Sequence, residues 1–110
     1  LSLTDATGTT TITGPAAGVT ISANNASRVF AVLSGAAADF SRLTITGGNA
    51  AGFGSGGGII NIGTLSLTDC TVSGNTSPTG GGISNYGYLS LTNCTVSGNS
   101  ALVGGGIWDV

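Results

Sequence analysis

Lysine, glutamate, histidine and methionine are missing from this chain of 110 residues, and four aspartates and two arginines supply all its side-chain charge. Soluble domains ordinarily carry roughly 25% charged residues; here the share is 5%. A net charge of −2 offers no attraction to nucleic acid or acidic lipid. Two cysteines without histidine or acidic partners to fill the remaining ligand positions cannot complete a zinc site, so no metal is expected. No apolar run approaches the roughly 20 residues of a membrane span. No signal-peptide pattern is visible, which predicts a mature chain or one cut from something larger. General acid–base chemistry needs partners converging in one pocket. Asp5, Asp39, Asp69 and Asp109 are scattered along the chain. The expectation is therefore no enzyme, no catalytic residue and no cofactor. Disorder is not expected either, because 40% of the residues are hydrophobic.

What is present is repetition. GGGIINIGTLSLTDCTVSGN (56–75) is followed by GGGISNYGYLSLTNCTVSGN (80–99), and the unit begins again at Gly104. The apolar pattern is Ile59, Leu65, Leu67, Cys70, Val72, then Ile83, Leu89, Leu91, Cys94, Val96, then Ile107. Looser copies run backwards through Val32, Ala38, Phe40, Leu43, Ile45 and through Leu3, Thr10, Ile12, Val19, Ile21. The first slot is read as Leu3, Val32, Ile59, Ile83 and Ile107, at spacings of 29, 27, 24 and 24. Apolar residues alternate with small polar ones, the period-2 mark of a strand, and Gly, Asn, Asp and Ser punctuate them. A repeat of this length, too poor in apolar surface to fold alone, predicts coils that stack to make one core. The expected fold is all-β: a single-stranded parallel β-helix with three short strands per coil. One segment, 1–110, divides into coils near 1–29, 30–56, 57–80 and 81–104, with a further coil starting at 105–110.

Stacking turns repeat positions into columns. Asn61, Asn85 and Asp109 share one, with Ser34 and Asp5 expected below them. Asn75 and Asn99 share another, with Asn49 and Asn25 near the same corner. Such amides can bond up and down a column as polar ladders. Calcium coordination would need a denser GGxGxD repeat, which is missing. Cys70 and Cys94 occupy one slot a rung apart, either as two buried thiols or as a bridge. Outward Thr and Ser are expected in rows: Thr20, Thr44, Thr71, Thr95, and Ser22, Thr46, Ser73, Ser97. A second strand adds Thr11, Asp39, Ser66, Ser90 and Thr13, Ser41, Thr68, Thr92. Such rows suit a solvated strand and also resemble ice-binding surfaces. Asn25-Ala-Ser27, Asn75-Thr-Ser77 and Asn93-Cys-Thr95 match the glycosylation sequon, a match that Asn/Thr-rich turns also produce by chance.

The repeat GGGIxNxGxLSLTxCTVSGN resembles those of right-handed parallel β-helix proteins in large bacterial surface and secreted polypeptides. These include polymorphic outer-membrane and autotransporter-like passengers, with the fold of pectate lyases. The likeness extends to GTTTITGPAAGVTISANNASRVFAV and LTITGGNA and covers nearly the whole chain. It implies the right hand of the helix and an extracellular or cell-surface place in a bacterium. Pectate lyases combine an acidic calcium cluster with a catalytic arginine; no acidic cluster surrounds Arg28 or Arg42 in this sequence.

The first and last strands carry the remaining expectation. Leu1 and Leu3 at one end, and Ile107, Trp108 and Val110 at the other, are apolar edges without a polar cap. The spacing predicts Leu3 under Ile107 and Asp5 under Asp109. The expected partners are copies stacked end to end or neighbouring coils of a longer chain. The function expected is a structural extracellular solenoid. The alternatives are an adhesin contacting glycan through Tyr86, Tyr88 and Trp108, and an ice-binding face.

Overall fold

In a computed structural model, describing residues 1–52 and 54–110, the short alternating segments become strands that pair only with their counterparts one coil away. The first coil contributes β1 (Ser2–Leu3), β2 (Thr9–Thr13) and β3 (Val19–Ser22). The second contributes β4 (Phe30–Val32), β5 (Ala37–Ser41) and β6 (Leu43–Thr46). The third contributes β7 (Ile59–Asn61), β8 (Thr64–Thr68) and β9 (Thr71–Ser73). The fourth contributes β10 (Ile83–Asn85), β11 (Tyr88–Thr92) and β12 (Thr95–Ser97), and β13 (Ile107–Asp109) opens the next. Three parallel sheets result, ordered β1-β4-β7-β10-β13, β2-β5-β8-β11 and β3-β6-β9-β12. The chain is a β-solenoid of about four coils.

Alternation along each strand sends one set of side chains inward. Leu3, Val32, Ile59, Ile83, Leu65, Leu67 and Val72 are buried, and Leu89, Val96 and Cys94 pack against them partly buried. Phe30 and Phe40 meet inside, ring centroids 4.7 Å apart. Leu91 and Ile107, expected in the core, are 37% and 36% exposed, because they lie on the last strands of their sheets. The outer edge residues Leu1 and Val110 are exposed, and Trp108 is half-buried.

The register corrects the first column. Val32 lies opposite Asn61, and Phe30 is the partner of Ile59. Ile59, Ile83 and Ile107 therefore stand over Phe30. Leu3 and Val32 belong to the column of Asn61, Asn85 and Asp109. The cause is a corner. From Val32 to Ala37 the chain takes two more residues than from Asn61 to Thr64, although both pairs are in register. The excess is housed in a turn in which Ala36 N–H donates to Leu33 O at 2.9 Å and Gly35 takes φ 83°. Strand pattern is blind to such a difference, since a turn can absorb residues without shifting either strand. Leu3 consequently lies below Asp109 and not below Ile107, and neither Ser34 nor Asp5 enters the ladder. Asp5 is fully turned back on Thr7, whose hydroxyl and N–H reach it at 2.6 and 2.8 Å and hold its carboxyl below the usual range.

Candidate functional site

The corners carry the solenoid's distinctive side chains. At the corner between the first and second sheets, Asn61-Ile62-Gly63-Thr64 and Asn85-Tyr86-Gly87-Tyr88 stack one rung apart. Backbone bonds hold them there: Ile62 N–H to Val32 O at 2.7 Å, Tyr86 N–H to Asn61 O at 2.8 Å, and Tyr88 N–H to Gly63 O at 2.9 Å. The glycines are a steric requirement. A Cβ on Gly63 would stand 2.6 Å from Leu33 O, closer still to Ala36 O, and one on Gly87 would strike Gly63 O. The bare backbone forms the floor of a groove of about 370 Å³, walled by Ile62, Thr64, Tyr86 and Tyr88. Tyr88 is 79% exposed and Tyr86 46%. Trp108 meets Tyr86 edge-on at 5.4 Å, so it braces that ring. Tyr86 and Tyr88 thus line one groove, while Trp108 stands against the first of them.

Beneath this corner runs the first ladder. Asn61 Nδ2 donates to Asn85 Oδ1 at 2.8 Å, and Asn85 Nδ2 to Asp109 Oδ1 at 2.7 Å. The ladder has a direction, since each amide donates toward the higher rung. Its lower end is apolar Val32, which leaves buried Asn61 Oδ1 without a hydrogen-bond partner among the described residues. The second ladder lies at another corner. Fully buried Asn75 donates from Nδ2 to Asn99 Oδ1, Ile45 O and Ser73 O, each at 3.0 Å, while its Oδ1 accepts Gly48 N–H at 2.8 Å. Asn49 sits beside it, bridged to Thr76. Burial takes Asn75 out of reach as a glycosylation acceptor in the folded chain.

The cysteines are free thiols in this structure: Cys70 buried, Cys94 half-buried. Their Sγ atoms approach carbonyls at 3.3 Å, Thr68 O for Cys70 and Leu67 O for Cys94. Burial pushes the Cys70 thiol pKa up.

The hydroxyl rows run along the outer faces in register, Thr20, Thr44, Thr71 and Thr95 on the third sheet, and Thr13, Ser41, Thr68 and Thr92 on the second. Asp39 interrupts its row between Thr11 and Ser66. At the corner between these sheets, Arg42, Asp69 and Asn93 take φ of 56°, 53° and 53°. Asn93 Nδ2 donates to Asp69 Oδ1 at 2.6 Å, and Arg42 Nε to Gly14 O at 2.8 Å. Repeat and alternation did not single out this left-handed column, though two of its members carry a signal: one Asp or Asn stands immediately before each cysteine, and these types tolerate positive φ. Arg28 spends its guanidinium on Gly56 O and Ser55 O, tying one coil to the next. Among the described residues, no group of three His, Cys, Asp or Glu side chains could hold a metal ion. No described helix is long and apolar enough to cross a membrane.

No family model matches the chain, and neither a curated protein nor a solved structure matches it significantly. The fold therefore stands on its registers, and the likeness to bacterial surface repeats stands on the repeat residues alone.

Proposed function

We propose that this solenoid is a structural element of the cell surface or secreted space of a bacterium, a section of a rod in which repetition builds length and no reaction is required of it. The observation that carries the reading is the unbroken register of three sheets through successive coils. Each rung is a template for the next: it offers matching backbone bonds, an apolar column and a polar ladder, so length is gained without new design. The extracellular bacterial setting rests on the resemblance of the repeats. Further rungs, whether of one polypeptide or of several, would lengthen such a rod in the same register.

The test is elongation. A second copy of 57–80 inserted after Gly80 should add one rung, about 4.8 Å of length, at constant cross-section in small-angle X-ray scattering. Its thermal midpoint should rise, as expected for a stack of coupled repeats. An inserted copy that loops out, leaving length and midpoint unchanged, would overturn the reading.

A further inference from the structure

We propose that the groove at the corner of the first and second sheets binds a neutral sugar chain, adding a recognition site to the rod. Tyrosine presents an apolar face and a polar tip, which suits a ligand that is apolar on its C–H faces and hydroxylated at its rim. Here two such rings flank a floor of bare backbone that glycine alone permits. The hydroxyls of Thr64, Tyr86 and Tyr88 enter no hydrogen bond within the described chain, leaving three donor–acceptor groups on residues that line one groove. None of the lining residues is charged, which argues for a neutral ligand over an acidic glycan or charged peptide. The groove is lined over three rungs, from residues 35–37 through Gly63 to Gly87, and so runs about 10 Å along the solenoid axis, the scale of a short oligosaccharide. Trp108 holds the Tyr86 ring at 5.4 Å and the rung bonds hold the backbone, so the ordering that accompanies binding falls chiefly on the exposed Tyr88 ring.

The probes are maltohexaose, cellohexaose and mannohexaose, with polygalacturonate and a neutral apolar peptide as competitors, read by saturation-transfer NMR on the 110-residue chain. At least one neutral hexaose should take up saturation from the Tyr86 and Tyr88 rings, with a dissociation constant of about 1 mM or tighter. Tyr88→Ala should weaken it at least tenfold. Tyr88→Trp should preserve binding, and Thr95→Ala, on the third sheet, should leave it unchanged. Circular dichroism checks that these surface variants fold; should Tyr88→Ala fail to, Tyr88→Ser replaces it. The proposal is overturned if no hexaose touches these rings, if binding survives loss of the Tyr88 ring, or if polygalacturonate or the peptide occupies the groove more tightly.

Discussion

Asn75 shows what one buried amide does in a solenoid. It closes four hydrogen bonds on three rungs, so its removal leaves several buried groups unpaired. Each such group costs about 1–3 kcal/mol. Asn75→Ala should therefore lose more than about 3 kcal/mol in urea unfolding, and Asn99→Ala, half-exposed, clearly less. The orphaned Asn61 Oδ1 allows a sharper comparison. An amide at position 32 would sit below it and could donate, whereas an amide at Val72 would meet Ile45 and Val96. Val32→Asn should thus be more stable than Val72→Asn by about 1 kcal/mol or more; equal losses would disprove the ladder logic. Cys70 supplies a pH signature. Its pKa is raised by burial, so the folded state holds the proton more tightly than the unfolded one. That contribution is complete below the ordinary thiol pKa and is lost as pH climbs from there through the folded value. Stability should therefore be level through neutrality and fall above about pH 8.5, and Cys70→Ala should abolish that fall in denaturant titrations.

At the scale of elements, the strands are too short to be stable alone, and the corners decide how they meet. Gly63 and Gly8 separate the two roles a glycine can play. A Cβ at Gly63 collides with carbonyls of the rung below, while one at Gly8 meets nothing within 4 Å. Gly63→Ala should cost several kcal/mol or stop folding, since rigid backbone must move. Gly8→Ala should fall within about 0.5 kcal/mol of the parent. Thermal melts of the pair would decide whether the corner glycines are structural, and equal midpoints would deny it.

For the whole molecule, the corrected register changes what stacking of copies entails. A second copy continuing the first sheet sets its Leu3 over Asp109 and its Leu1 over Ile107. The second contact is apolar, but the first buries a carboxylate under leucine, at a cost of several kcal/mol when unpaired. Asp109 therefore opposes head-to-tail growth from identical copies and favours a rung bearing a donor above it. Asp109→Asn removes the charge, and sedimentation at micromolar concentration should show stronger self-association than in the parent chain. Unchanged sedimentation would mean that copies do not join along this column.

Period and alternation alone determined much of this protein. The 24-residue spacing placed Leu65, Leu67, Cys70 and Val72 over their counterparts in the next coil, and the Asn61–Asn85 and Asn75–Asn99 pairs with them, because a parallel rung must match the rung below. The hydroxyl rows followed from the same rule. Where coil length varied, the pattern misled: Val32 was set under Ile59, although Phe30 stands there. Only tertiary pairing decides which corner absorbs extra residues, since turns lengthen without altering the strands they join. The groove was likewise half legible. Tyr86, Tyr88 and Trp108 could be seen as neighbours in sequence and repeat, but their division into two groove walls and a brace depends on which way each corner turns. That direction is set by backbone bonds between coils, not by any residue's own preference.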